Sequence, residues 1–246
     1  MTSPRSLIHV ADADALAAAA AQRLMARIDA NPGRAAICLT GGSSPKRLYE
    51  LLATPDYAKA IPWDRVHWFI GDDRFVPQDD HLSNIGMARA TFLDALAPRD
   101  HVHPIPTDAA DPDTAAKAYE TTLKQFYGGT TLAASKPLFD LVLMGIGPDG
   151  HTASLFPGYP AIEVRDRWVV GVPLAHVAPF VPRVTLTLPA LASCREMLFL
   201  VSGADKREIA TRALTDDTLP AARARSHHET IWLIDKDATP ERLDVA

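Results

Sequence analysis

A histidine and an aspartate lie close together in the glycine-rich segment Gly145-Ile146-Gly147-Pro148-Asp149-Gly150-His151-Thr152. Histidine can act as a general base near neutral pH, and a nearby carboxylate can orient the imidazole or tune it. An isolated histidine is more often structural, with its ring nitrogens satisfied by backbone carbonyls. The glycine-rich setting after a predicted strand favours a functional interpretation, so His151 and Asp149 are the candidate catalytic pair.

The same segment also matches the GxGxxG pattern of dinucleotide-binding loops over residues 145–150. However, Pro148 and His151 crowd the turn, and Pro157 and Pro160 would end any helix that followed it. The chain also lacks a convincing pair of following strand and acidic residue to bind the ribose. The pattern therefore does not predict a nicotinamide cofactor.

Arg74 lies in the segment Gly71-Asp72-Asp73-Arg74-Phe75-Val76-Pro77, directly after another predicted strand. Charged groups are costly to bury unless they are paired, and a guanidinium group can hold a phosphate through two parallel hydrogen bonds. The alternative is a salt bridge from Arg74 to Asp72 or Asp73 that only holds the loop. The sequence leaves both interpretations open.

Two further segments carry groups that suit an anion. Thr40-Gly41-Gly42-Ser43-Ser44-Pro45-Lys46 precedes a predicted helix, whose N-terminal N–H groups favour negative charge. An ordinary tight turn is the alternative, and the Walker spacing is missing. Lys206 lies near another helix start in Ser202-Gly203-Ala204-Asp205-Lys206, where the helix dipole disfavours a cation unless an anion binds. A solvated surface lysine is the alternative there.

These segments follow short apolar runs that alternate with helical patterns. The predicted strands are Ala35–Leu39, Val66–Ile70, Leu141–Gly145, Trp168–Val172, Leu198–Val201 and Thr230–Ile234. Runs that are apolar through most of their length are typical of strands covered on both faces. We therefore predict a single α/β domain over residues 1–246, with a mainly parallel, doubly wound (Rossmann-like) sheet and helices on both faces. In such sheets ligands bind at the carboxyl ends of the strands.

Helix starts are predicted from capping residues and from proline in the first turn. The proposed starts are Asp12 or Asp14, Ser44-Pro45, Ser83 or Asn84, and Asp111-Pro112. Each is followed by apolar residues at helical spacing. These helices would connect the predicted strands.

Composition excludes several classes of function. The formal net charge is −5, so nothing indicates binding to nucleic acid or to an anionic membrane. No apolar run is long enough to span a bilayer. Cys38 and Cys194 form no CxxC pair, and Cys38 lies in an apolar run that predicts a core position. We expect a cytoplasmic protein; its oligomeric state does not follow from the sequence.

Two histidine pairs raise the question of a metal site. His101 and His103 form one pair, and His227 and His228 form the other. No cluster of carboxylates or cysteines accompanies either pair. We therefore predict surface histidines and no metal.

The segments at 40–45, 71–77 with Ser83-Asn84, 145–157 and 202–206 together resemble the 6-phosphogluconolactonase family. Their order and spacing agree with that family from about residue 10 to residue 234. One departure is Asp73, where the family more often carries glutamate. The resemblance implies hydrolysis of 6-phospho-D-glucono-1,5-lactone to 6-phosphogluconate, in the oxidative pentose phosphate pathway, without metal or organic cofactor. The implied partner is a small phosphorylated sugar lactone.

The resemblance also implies a role for each matching position. His151 would be the general base that activates water for attack on the lactone carbonyl, with Asp149 or Asp72 assisting it. The implied substrate-binding residues are Arg74 and Lys206 on the 6-phosphate, Gly42 and Ser43 beside them, and Asp72, Asn84 and Arg183 along the sugar. A lactone is an activated ester, so a positioned water and a base are sufficient without a covalent nucleophile.

Two alternatives stand beside this interpretation. Amino-sugar-phosphate isomerases/deaminases share the fold and a similar Asp-Gly-His loop, but they carry a glutamate just before the following proline, where this chain has Phe156. They also tend to lack an arginine at the position of Arg74. A non-catalytic sugar-phosphate sensor would be expected to lose the base, and both His151 and Asp149 are present.

Overall fold

A central parallel sheet organises the protein, which we describe from a computed structural model for residues 5–240. The strands are β1 (Arg5–Val10), β2 (Ala35–Leu39), β3 (Val66–Ile70), β4 (Asp72–Arg74), β5 (Val102–His103), β6 (Phe139–Met144), β7 (Val169–Val172), β8 (Arg183–Leu186), β9 (Cys194–Val201) and β10 (Glu229–Asp235). Seven of them form the sheet in the order β1-β10-β9-β6-β2-β3-β5. Every neighbouring pair is parallel. The predicted α/β fold with a parallel sheet is confirmed.

The remaining strands form a separate antiparallel sheet in the order β4-β8-β7. The strand predicted at Trp168–Val172 is present, but it does not belong to the parallel sheet. These residues supply β7, at one edge of the small sheet. Strand β4 of the small sheet follows β3 after one residue, so the small sheet adjoins the carboxyl ends of the central strands.

Helices connect the strands. They are α1 (Ala13–Asp29), α2 (Ser43–Leu52), α3 (Pro55–Ala60), α4 (Asn84–Ala88), α5 (Asp94–Leu96), α6 (Pro112–Tyr127), α7 (Leu188–Ala192), α8 (Arg207–Thr215) and α9 (Pro220–Arg223). A π-helical turn at Arg89–Leu93 joins α4 to α5. No helix within residues 5–240 is long and apolar enough to cross a membrane.

Capping side chains fix three of the helix starts as predicted. Asp12, Ser83 and Asp111 each accept a hydrogen bond from a backbone N–H in the first turn of the helix that follows. The start predicted at Ser44-Pro45 is displaced, because α2 begins at Ser43 after Gly42. Gly42 has φ of 113°, a left-handed conformation that side-chain-bearing residues rarely adopt.

One hydrophobic core joins the two sheets, since buried side chains of β7 and β8 belong to the same cluster as those of the central sheet. Cys38 is fully buried within it, as predicted. Two buried tyrosines fix the ends of neighbouring strands. The Tyr49 hydroxyl donates to the carbonyl of Thr40 at 2.8 Å and accepts from its N–H at 3.1 Å. The Tyr119 hydroxyl makes the same pair of bonds with Ile70, both at 3.0 Å.

The expectation for the histidine pairs is half correct. His227 and His228 are exposed. His103, however, is half-buried, and its Nε2 lies 3.0 Å from Nδ1 of His67. Within residues 5–240 no group of three or more histidine, cysteine or acidic residues could hold a metal ion. The extent predicted for the single domain stays a prediction, because residues 1–4 and 241–246 lie outside the described part of the chain.

Candidate active site

The loops after β2, β3, β6 and β9 meet at the carboxyl edge of the central sheet. They enclose a cleft of about 240 Å³ together with residues of β4 and β8. Seven of the nine residues predicted for the site line this cleft: Gly42, Asp72, Arg74, Asn84, His151, Arg183 and Lys206. Asp149 lies behind His151, and Ser43 is an exposed residue in the first turn of α2. The four segments singled out in the sequence therefore converge as the strand order requires.

His151 is held by Asp149. The Nδ1 atom of His151 lies 2.5 Å from Oδ1 of Asp149, and the same oxygen accepts the His151 backbone N–H at 3.1 Å. Burial alone would raise the pKa of Asp149, but the hydrogen bond and charge of His151 hold this pKa well below its ordinary value. An ionised Asp149 that accepts from Nδ1–H leaves Nε2 of His151 as the basic nitrogen. Since His151 also lines the cleft, this is the arrangement of a general base.

Glycine at position 147 makes room for the histidine ring. A Cβ atom there would lie 1.9 Å from Cε1 of His151, which no side chain could tolerate. The loop is closed by a bond from the Gly147 N–H to the His151 carbonyl at 2.8 Å. The Thr152 hydroxyl adds a bond to the carbonyl of Gly145 at 2.7 Å. Gly147 therefore serves the placement of His151.

A second histidine that the sequence analysis missed lies on the other side of Asp149. The Nε2 atom of His176 is 2.9 Å from Oδ2 of Asp149. Its ring packs against Phe156 and Tyr159, with ring centroids 5.1 Å and 5.2 Å away. His176 is 27 residues from Asp149 in the chain and lies in no recognisable motif, so the sequence held no signal for the contact.

Arg74 does not form the salt bridge that the sequence left open. Its guanidinium Nη1 donates to the Leu82 carbonyl at 2.6 Å and to Oδ1 of Asn84 at 3.0 Å. Its Nε is buried and finds no hydrogen-bond partner among residues 5–240. Because the charge of this guanidinium is not neutralised by a neighbouring carboxylate, Arg74 is available to bind an anion in the cleft.

Arg183 lies directly opposite Arg74 in the antiparallel pairing of β4 and β8. It is 4% exposed, and its Nη2 donates to the Pro179 carbonyl at 2.8 Å. Burial lowers the pKa of Arg183, and the charge of Arg74 lowers it further, whereas Asp72 raises it. Like charges at opposed positions are unfavourable, so an anion between these arginines would be stabilising.

Lys206 adds a third cation to the cleft. Its side chain is 28% exposed, and its Nζ lies 3.6 Å from Oδ2 of the exposed Asp205. It occupies the residue before α8, which begins at Arg207. Lys206 is thus half-buried against the cleft rather than fully solvated.

The two adjacent aspartates of the loop after β3 have different environments. Asp72 lines the cleft and accepts a hydrogen bond from the Ser154 hydroxyl at 2.6 Å. Asp73 is fully buried and accepts the N–H groups of Asn84 at 2.7 Å and Ile85 at 3.1 Å. Burial raises the pKa of Asp73 to about 6. Asp73 therefore fixes the start of α4, and only Asp72 faces the site.

Asn84 is held on the inner side of the cleft. Its Nδ2 donates to the Asp72 carbonyl at 3.0 Å while its Oδ1 accepts from Arg74. A Cβ atom at position 41 would lie 1.9 Å from the Asn84 Oδ1. Gly41 is therefore required for Asn84 and the loop after β2 to approach each other.

Comparison with known proteins identifies the family of the chain. Residues 11–232 match the family model described as glucosamine-6-phosphate isomerases/6-phosphogluconolactonase. The chain is 42% identical over 215 residues to a 6-phosphogluconolactonase of Synechocystis sp., with 85% of each chain covered. It is 39% identical over 238 residues to a 6-phosphogluconolactonase of Mycobacterium tuberculosis, with 92% of this chain and 94% of the relative covered.

Solved structures place the fold in the same group. The 6-phosphogluconolactonase from Trypanosoma cruzi superposes with a TM-score of 0.85 at 28% identity, covering 97% of each chain. A monomeric glucosamine-6-phosphate deaminase superposes with a TM-score of 0.79 at 20% identity, covering 95% of this chain and 98% of the other, which shows the shared fold alone. The resemblance predicted from the sequence is confirmed, and the chain belongs to the glucosamine-6-phosphate isomerase/6-phosphogluconolactonase family.

Proposed function

We propose that this protein hydrolyses 6-phospho-D-glucono-1,5-lactone to 6-phosphogluconate. The observation that carries the proposal is the cleft itself, in which a histidine held by a carboxylate faces a group of cations. A base suits the activation of water, and the cations suit a phosphate. The most similar relatives named above are 6-phosphogluconolactonases, and this supports the same substrate here.

In the proposed reaction, Nε2 of His151 accepts a proton from a water molecule as the water oxygen attacks the lactone carbonyl. Asp149 fixes the ring by accepting from Nδ1–H and stabilises the imidazolium that forms. Collapse of the tetrahedral intermediate breaks the bond between the carbonyl carbon and the ring oxygen, which takes up a proton as a hydroxyl. The product is an open-chain acid, and no covalent enzyme intermediate is needed.

Substrate binding is assigned to the cations and to the polar residues beside them. Arg74 and Lys206 hold the 6-phosphate, and Gly42 with Ser43 presents the N-terminus of α2 to it. Asp72, Asn84 and Arg183 bind along the sugar. No metal or organic cofactor enters the scheme, and we propose that the reaction takes place in the cytoplasm.

The residue before Pro157 argues against an amino-sugar-phosphate deaminase. Phe156 occupies the position at which those enzymes carry a glutamate, and its side chain is fully buried. It forms an apolar cluster with Val172 and Ala175. The glutamate that those enzymes carry at this position is therefore replaced by a buried apolar residue.

The test is lactone hydrolysis by the purified protein with freshly generated substrate, with the spontaneous rate subtracted. We expect turnover far above background and a fall of about 10²–10⁴-fold in kcat for His151→Ala. The exposed His227→Ala serves as the matched control and should keep full activity. Absence of turnover by the wild-type protein would overturn the proposal, and glucosamine 6-phosphate would then be tested as substrate.

A further inference from the structure

The segment between β7 and β8 crosses from the core to the mouth of the cleft. At its start, Ala175 is buried in the apolar cluster with Phe156. At its end, Arg183 donates to the carbonyls of Val181 and Pro179. Between these attachments, His176 is the residue whose side chain reaches the Asp149 carboxylate.

Asp149 therefore has a different histidine on each oxygen. Oδ1 lies 2.5 Å from Nδ1 of His151, and Oδ2 lies 2.9 Å from Nε2 of His176. Both hydrogen bonds from His151, from Nδ1 and from the backbone N–H, reach Oδ1 of Asp149, and the terminal torsion of an aspartate is soft, so the carboxylate can still turn with Oδ2 unheld. A donor on Oδ2 restricts this turn, and hydrogen bonds in such a chain strengthen one another.

The side chain of His176 is 39% exposed, and its ring contacts two aromatic side chains. It lies edge-on to Phe156 at 5.1 Å and tilted against Tyr159 at 5.2 Å. Phe156 also packs against His151, with ring centroids 4.8 Å apart. Both histidines on Asp149 thus contact the same buried aromatic ring.

We propose that His176 is a positioning residue for the base. By donating Nε2–H to Oδ2 of Asp149, it keeps Oδ1 directed at Nδ1 of His151. The orientation of the base therefore depends on the position of the segment between β7 and β8. The proposal rests on the proposed function, since the role of His176 is exerted through Asp149 and His151. His176 is absent from the lining of the cleft, so it is not assigned a contact with substrate.

Two substitutions separate hydrogen bonding from packing. His176→Gln keeps an N–H donor at about the reach of Nε2 and loses the ring, whereas His176→Phe keeps the ring and loses the donor. We expect His176→Gln to retain activity within about twofold. For His176→Phe we expect a fall of about tenfold or more in kcat with little change in KM, because the base is misplaced while the phosphate contacts remain.

The reverse order, with Phe active and Gln impaired, would overturn the proposal and assign His176 to packing alone. Equal activity of both variants would overturn it as well. If His176→Phe does not fold, His176→Asn replaces it, because its shorter amide falls short of Asp149; activity equal to that of Gln would contradict the proposal. The wild-type rate in the same assay distinguishes this outcome from failure of the proposed function, which would remove turnover from every protein.

Discussion

Two groups of histidines lie in different parts of the central sheet and have opposite surroundings. His151 and His176 flank the ionised Asp149 after β6, at the carboxyl edge. His67 and His103 lie in β3 and β5, the last two strands in the order of the sheet, with their rings stacked at 5.3 Å. Burial, together with the charge of the neighbouring His101, lowers the pKa of His67 and of His103 to about 4.

The comparison shows which surroundings stabilise a protonated histidine in this protein. Beside a carboxylate, an imidazole can take a proton and keep the resulting charge stabilised. Among rings such as Phe69, which stacks on His103 at 4.4 Å, the charged form of these histidines forms no ion pair with a carboxylate of residues 5–240, and the charge of Asp100 offsets only part of the cost of burial. Adjacent histidines are therefore a poor guide to function unless their partners are known.

The largest expected effect comes from removing the carboxylate that distinguishes the two groups. Asp149→Ala should lower kcat for lactone hydrolysis by about 10²–10⁴-fold, because the orientation of His151 and the stabilisation of its charge are both lost. Steady-state kinetics at fixed pH measure it. An exposed aspartate such as Asp56 provides the control, since Asp56→Ala should leave kcat unchanged. A variant of Asp149 with wild-type kcat would contradict the assigned role.

The space occupied by the His151 ring offers a second way to break the site. Gly147→Ala should lower kcat by about 10²-fold, because the added methyl group requires the ring to move by more than an ångström. Gly158→Ala is a control for a glycine whose Cβ would meet nothing within 4 Å, although its φ of 77° should lower stability slightly. Equal activity of the two variants would show that the ring position is unimportant.

The cations of the cleft should act mainly on binding. Lys206→Ala is expected to raise KM by about tenfold with a smaller change in kcat, because a contact to the phosphate is lost in ground and transition states alike. Lys117, which is exposed and pairs with Asp113, is the matched control and should keep its KM. A Lys206 variant with unchanged KM would remove this residue from the phosphate site.

The smallest expected effect is on the free energy of unfolding and comes from the histidines of β3 and β5. Since the pKa values of His67 and His103 are lowered from 6.5 to about 4, the unfolded chain binds more protons than the folded chain between these values. Their contribution to stability is therefore present above about pH 6.5 and is lost as the pH falls towards 4. Urea denaturation across this range should show a weaker loss of stability in His103→Phe than in the wild-type protein.

Asp73 has the opposite effect on stability in that pH range. Its pKa is raised from 3.8 to about 6, so its contribution to stability grows as the pH falls from about 6 towards 3.8. Comparing His103→Phe with the wild-type protein at each pH cancels this contribution, since both proteins keep Asp73. Parallel stability profiles for the two proteins would contradict the lowered pKa of His103. Lactone hydrolysis by His103→Phe should remain unchanged.

The elements that could be predicted from the sequence are those with a local signal. Strand β2 is buried at every residue, and its continuous apolar run predicted it with the correct bounds. Strand β1 was missed because it is a half-exposed edge strand, and β5 because it has two residues. Strand β4 is formed by charged residues that were taken for a loop.

In the candidate site, too, the contacts that could be predicted are those between residues close together in the sequence. Asp149 and His151 lie two residues apart, so their contact could be anticipated from spacing alone. The choice between a salt bridge and a free charge at Arg74 depended on Leu82 and Asn84, whose position is set by the start of α4. The contact of His176 depended on the path of the segment between β7 and β8, which no sequence pattern specified.

The most direct test of the central claim compares one histidine from each of the two groups. Steady-state lactone hydrolysis would be measured for the wild-type protein, His151→Ala and His103→Phe after their folding has been matched by thermal denaturation. We expect kcat/KM to fall by about 10²-fold or more for His151→Ala and to stay within about twofold of wild type for His103→Phe. Equal values for the wild-type protein and His151→Ala would contradict the assignment of the base.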